Sequence, residues 1–263
     1  MTQDSIRPFD ACLLDYGNTI TEFDRKQIDY VRIHLTNALS RLVEPARLSR
    51  VSDSLDTVCS LPYLGSPPDY REVTPYEQMD RLLRLVYGED REFAEELVRE
   101  CDAVLQDLFV QSITVDEGTR FFLERLRERM PVGLVSNYPC GVSLRRSLRK
   151  NGLDAVLSPI VISGEVGYVK PHESVFRAAL DALPAPASRV LFVGDRWDAD
   201  MVGAAGMGMK TCHHVGYTSD LDLDDRYAIY RPDFQIELLE EIEAILFDGS
   251  AFESPRSEAG ELR

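Results

Sequence analysis

From residue 117 onward the chain switches repeatedly between two hydrophobic periods, and this restricts its fold more than any other feature. "EGTRFFLERLRERM" spaces its apolar positions as a helix does, "PVGLVSN" is a short apolar run, and "GVSLRRSLRKNG" is helical again. The series continues with "VLSPIVIS", "HESVFRAALDAL", "RVLFVGD", "DADMVGAAGMG" and "KTCHHV". A strand followed by a helix and another strand implies a parallel sheet covered by helices on both faces. The expected fold class is therefore α/β, a doubly wound parallel sheet. A further strand, "ACLLD", lies near the start of the chain.

Between these blocks the pattern is mostly helical, as in "YVRIHLTNALSRLV", "YEQMDRLLRLVY" and "FAEELVRECDAVLQDLF". Two units follow: a core from 1–21 and 112–248, and an inserted α-helical unit over 22–111. Within the insert, "SLPYLGSPPDYREVTP" holds too much proline and glycine for a helix and is expected to be a loop. The stretch 249–263 is acidic, carries proline and shows no packing period, which predicts a disordered tail.

Composition removes several function classes. The 263 residues carry a net charge of −16, with a pI near 4.7, which opposes broad binding to nucleic acid or to an anionic membrane. The basic run "RRSLRK" reads as a solvated helix face. No apolar run reaches membrane-spanning length, and "MTQDSIRPFD" lacks the basic start and apolar stretch of a signal peptide, so a cytoplasmic protein is expected. Five cysteines occur without CxxC spacing, signalling neither a disulfide framework nor a zinc site.

In a doubly wound sheet, ligands bind outside the carboxyl ends of the strands, where helix N-termini offer N–H groups to anions. The polar residues that close the strands are Asp15, Ser136 with Asn137, Lys170 just beyond its strand, and Asp195. Each alone has an ordinary explanation as a turn residue, a helix cap or an ion pair. Together, "LLDYGNT", "LVSN", "VKPHESVF" and "LFVGDRWDADMVGA" occur in one order, each at a strand end.

That ordered set resembles the haloacid dehalogenase (HAD) superfamily, and the insert between its first two motifs looks like that family's helical cap on a Rossmann-like core. The resemblance covers about residues 10 to 247. It implies a hydrolase, for most members a magnesium-dependent phosphatase working through an aspartyl-phosphate. Asp15 would then be the nucleophile. Thr19 and Ser136 would bind the transferring phosphoryl oxygens, Lys170 would supply fixed positive charge, and Ser136, Asn137 and Lys170 would hold the substrate. Asp195 and Asp200 match the family's GDxxxxD pattern. With Asp15 and the main-chain carbonyl of Gly17 they would form the Mg2+ site, Asp200 directly or through one water. A closed cleft under a helical cap implies a small phosphorylated metabolite.

One position departs from the family. Its phosphatases carry a second aspartate two residues after the nucleophile as general acid and base, and here that residue is Gly17. Glu22, Asp24 and His34 are the nearest titratable substitutes in sequence. The alternatives are a catalytically impaired domain that binds a phosphorylated ligand or a protein, and carbon–halogen or carbon–phosphorus cleavage. The dehalogenase branch lacks an equivalent of Asp195. The phosphonatase branch uses a cap lysine, and this chain has no lysine between Lys26 and Lys150.

Overall fold

The structure is a computed structural model that describes residues 7–23, 25–44, 47, 49–59, 69–217 and 231–248. Six strands, β1 (Ala11–Leu14), β2 (Val132–Ser136), β3 (Ile160–Ile162), β4 (Val190–Gly194), β5 (Lys210–His214) and β6 (Phe234–Ile236), form one sheet. Their order is β3-β2-β1-β4-β5-β6, and every pairing is parallel. The expected α/β doubly wound sheet is what forms.

The side chains of β1 and β4 explain why the sheet is covered on both faces. All nine residues of these two central strands are buried. Successive side chains of a strand point to opposite faces, and the cores divide accordingly. Cys12, Leu14, Leu191 and Val193 join one apolar cluster, and Ala11, Leu13, Val190 and Phe192 join the other. Helices α5 (Glu117–Arg129), α6 (Gly141–Lys150) and α10 (Ile242–Asp248) cover the first face. The second is covered by α8 (Glu173–Asp181) and α9 (Val202–Gly206). A single helical turn, α7 (Ser163–Val166), follows β3 directly.

The segment between β1 and α5 contains α1 (Arg25–Leu39), α2 (Ser49–Cys59), α3 (Pro75–Tyr87) and α4 (Glu95–Ser112). These helices build a third apolar cluster of their own from Val31, Leu35, Leu55, Met79, Leu82, Val98 and others. Helix α4 spans two cores, since Leu108 packs in the helical cluster while Phe109 and Val110 pack against the sheet. Lys150 ties its end down, donating to the carbonyls of Val110, Gln111 and Ile113 at 2.8–3.0 Å. Those carbonyls lie at a helix end, where they lack partners within the helix.

One expectation needs qualification, and one strand was not expected. The helix read over "DADMVGAAGMG" begins as a π-helical turn, Trp197–Met201, before α9. Strand β6 carries too short an apolar run to stand out in the sequence. The expected tail 249–263 and the centre of the insert's loop, 60–68, lie outside the described residues.

Candidate active site

The carboxyl ends of β1, β2 and β4 are neighbours in the sheet, so the residues that follow them meet. Asp15 follows β1, and its N–H donates to the Val193 carbonyl at 2.9 Å, continuing the strand pairing by one residue. Asn18, at φ 54°, reverses the chain in the left-handed region that asparagine tolerates. Its side chain accepts from Phe23 N at 2.9 Å, and its carbonyl accepts from His214 Nδ1 at 2.9 Å. The turn is thereby held from β5 as well as from its own chain.

A cavity of about 160 Å3 opens at this point. Asp15, Gly17 and Asn18 line it from β1, Ser136 and Asn137 from β2, and Asp195, Arg196, Ala199 and Asp200 from the turn after β4; Lys170 completes the wall. Thr19 is fully buried, its hydroxyl has no hydrogen-bond partner among the described residues, and it is absent from that lining. Of the candidate substitute residues, Glu22 and His34 do not line the cavity, and the His34 ring packs tilted against Tyr30 with ring centroids 4.2 Å apart. Asp24 lies outside the described residues.

Lys170 is the electrostatic centre. Its Nζ lies 2.5 Å from Asp15 Oδ1 and 2.6 Å from Asp200 Oδ1, and donates to the Val135 carbonyl at 3.0 Å. Asn137 fixes the same residue through its backbone, accepting from Lys170 N at 2.7 Å and donating to its carbonyl at 3.3 Å. Burial disfavours the lysine's charge, yet the two carboxylates outweigh it and hold its pKa above the ordinary range.

Three carboxylates converge here, two of them on that lysine. Oxygens of Asp15, Asp195 and Asp200 all lie within 4.8 Å of one another. Burial drives Asp15 up to about 6 despite the pull of Lys170, with Asp200 adding to the rise. Burial and the charges of Asp15 and Asp200 push Asp195 up to about 8. Burial is the larger cause of both shifts and mutual repulsion the smaller, and hard oxygen donors this close fit a divalent cation of the magnesium type. The second Asp200 oxygen accepts from Arg196 N at 3.1 Å. Gly194 permits this turn, because a Cβ there would come within 2.4 Å of Asp200 Oδ2.

Arg196 and Asn18 escaped the sequence reading, although the strand-end rule that selected Asp15 and Asp195 points at their turns. Arg196 pairs with Asp198 at 2.5 Å beside the cavity. Trp197 packs beneath the turn, its Nε1 donating to His213 Nδ1 at 3.2 Å, while His213 Nε2 lies 2.8 Å from the Asp195 carbonyl. His213 thus supports the acidic loop from β5.

The chain is similar to several known proteins. Pyrimidine 5'-nucleotidase YjjG of Escherichia coli (strain K12) is 32% identical over 143 residues, covering 50% of this chain and 62% of its own length. Glyceraldehyde 3-phosphate phosphatase of Pyrococcus abyssi is 36% identical over 95 residues, 36% of this chain and 40% of that protein. The matched region is thus less than two thirds of these relatives' lengths. Among solved structures, 2-haloacid dehalogenase from Pseudomonas syringae superposes with a TM-score of 0.69 at 19% identity, covering 90% of this chain and 98% of that one. The magnesium-bound HAD-hydrolase YfnB from Bacillus subtilis gives 0.67 at 18% identity, with 90% and 98% covered. These two likenesses establish the fold. The family description that matches residues 9–208 spans most of the chain and all four motifs, and the protein belongs to the haloacid dehalogenase-like hydrolases.

Proposed function

We propose that the protein hydrolyses a small phosphomonoester through an aspartyl-phosphate on Asp15. The observation that carries this reading is the buried Asp15 carboxylate, held at one oxygen by Lys170 and facing a cavity walled by Ser136, Asn137 and two further acids. The relatives named as phosphatases and as a nucleotidase support the same bond type.

In the first step an Asp15 oxygen bonds to phosphorus as the ester P–O bond breaks, and the leaving oxygen departs with the electron pair. Lys170 fixes the orientation of the carboxylate and places a positive charge beside the transferring group. The Ser136 hydroxyl and the Asn137 amide donate to the phosphoryl oxygens from the β2 side. Thr19, buried with a hydroxyl that finds no partner among the described residues, is read as part of the same phosphate-binding turn. Water then attacks phosphorus, releasing inorganic phosphate and restoring the Asp15 carboxylate.

Asp15, the Gly17 carbonyl and Asp195 would hold Mg2+, which when bound supplies charge neutralisation of the phosphoryl oxygens. Asp200 has one oxygen against Lys170 and the other against Arg196 N, which suits contact through a water. The unit 22–111 is proposed to act as a cap over this cavity, and the substrate to be a small phosphorylated metabolite.

Gly17 supports a second reading, an impaired domain that binds a phosphorylated ligand, because it provides no proton for the leaving oxygen. Rapid mixing with p-nitrophenyl phosphate and magnesium separates the two, since nitrophenolate leaves without a proton. A burst equal to the enzyme concentration, absent from Asp15→Asn, is expected. No release from the wild type, with magnesium bound, would overturn the hydrolase reading in favour of the second.

A further inference from the structure

Among the described residues, one buried acid outside the cavity is not used by the reaction. Glu72 lies in the insert, in the loop before α3, and is only 5% exposed. Its carboxylate accepts from its neighbour Val73 N at 2.9 Å and, in a short contact, from the Ser163 hydroxyl. These described partners are an amide and a hydroxyl rather than a cation. A carboxylate buried on such terms costs free energy, which points to a specific task.

The Ser163 oxygen that donates to Glu72 also accepts from Tyr138 N at 2.8 Å. Tyr138 directly follows Ser136 and Asn137, so the carboxylate reaches the phosphate-binding loop through one hydroxyl. The flanking backbone docks as well. Glu72 N donates to the Gly167 carbonyl at 3.0 Å, and Val169 N donates to the Tyr70 carbonyl at 2.8 Å, around an antiparallel bridge between Arg71 and Tyr168. That strip ends immediately before Lys170. From its other side, the insert holds Tyr138 by α4, through a hydrogen bond to Gln106 at 2.9 Å and a stack on Phe109 with centroids 4.0 Å apart.

The Glu72 loop is tied to the start of α3. Thr74 and Glu77 form a reciprocal cap at the start of α3, and Arg71 pairs with Glu77 at 2.9 Å. Moving α3 therefore moves the Glu72 loop, and with it the contact to Ser163.

We propose that Glu72 is a positioning residue, a latch by which the helical insert sets the Ser136–Tyr138 loop and the Lys170 loop for reaction. This rests on the reading of the Asp15 cavity as a phosphoryl-transfer site. Such a latch makes the geometry of the phosphate-binding groups depend on how the insert is seated. Displacements on the order of 1 Å at reacting groups cost about a hundredfold in rate.

The test compares Glu72→Ala with Glu72→Gln, whose amide can donate to Ser163 while its oxygen still accepts from Val73 N. The first readout, independent of activity, is backbone hydrogen exchange over residues 136–140 and 167–172. Exchange there should accelerate in Glu72→Ala and return to the wild-type rate in Glu72→Gln. The second readout is turnover of p-nitrophenyl phosphate: kcat should fall about 10- to 100-fold in Glu72→Ala with KM nearly unchanged, and Glu72→Gln should recover it. Ser163→Ala breaks the relay from the sheet side, serves if Glu72→Ala does not fold, and should reproduce both effects. The double variant should be no worse than either single one. Unchanged exchange in the alanine variants overturns the latch, as does faster exchange with unchanged kcat, or a Gln variant as impaired as Ala. A wild type inactive on phosphomonoesters would instead refute the proposed reaction, and hydrogen exchange alone would then decide whether the latch exists.

Discussion

Lys170 and Asp15 are 155 residues apart in sequence, and their Nζ and Oδ1 atoms are 2.5 Å apart, both side chains nearly excluded from solvent. Because the same Nζ also neutralises Asp200, its removal leaves two buried carboxylates without their cation. Lys170→Met is expected to destabilise the fold by about 3–5 kcal/mol, the range for breaking a buried ion pair from one side. Urea unfolding checks this. A loss of under about 1 kcal/mol would mean that the acids are better solvated than their burial indicates.

Gly17→Asp should raise turnover on alkyl phosphates, by up to about two to four orders of magnitude if proton donation limits the rate. The structure accommodates the change, because among the described residues a Cβ at Gly17 meets only Phe23 Cβ at 3.6 Å, an ordinary contact. The gain should be far smaller on p-nitrophenyl phosphate, whose leaving group needs no proton. Equal gains on both substrates would show that the new carboxylate acts by some other route.

Magnesium should raise the melting temperature, and more so in alkaline buffer. Without metal, Asp195 sits at about 8 and Asp15 at about 6, so protons compete with the cation below those values and leave as pH rises. Thermal scans with and without magnesium at about pH 6 and about pH 8.5 should show the larger increment at the higher pH. Chelation should abolish the increment at both. An increment independent of pH would place the metal away from Asp195.

His214 should make the fold sensitive to acid. Burial lowers its pKa below the usual 6.5, with the Asn18 carbonyl opposing the shift. Its protonation therefore favours the unfolded chain: the contribution is complete above 6.5 and is lost as pH falls through the depressed folded value. His214→Asn offers an N–H donor toward Asn18 without a titrating ring. The melting temperature of the wild type relative to this variant should drop between about pH 7.5 and about pH 5. A constant difference would show that His214 does not titrate on unfolding.

The sequence by itself determined the layer architecture and the acids of the site. Both follow from local rules: period-2 and period-3.6 apolar spacing sorts strands from helices, and a parallel sheet presents its strand ends on one edge. Asp15, Ser136 and Asp195 were legible for that reason; Lys170, expected just beyond its strand, instead follows β3 by a helical turn and a loop, and β6 was not legible, since three residues of strand carry too little period to read. Tertiary structure alone decided the rest. The adjacency of Glu72, Ser163 and Tyr138, which are 91 and 25 residues apart, exists only once the insert docks on the sheet. The sharing of Lys170 between Asp15 and Asp200, and the rise of Asp15 and Asp195, likewise depend on burial and on distances that no local pattern encodes. Charge interactions weaken with separation and strengthen with desolvation, so their magnitude is a property of the folded site rather than of any motif.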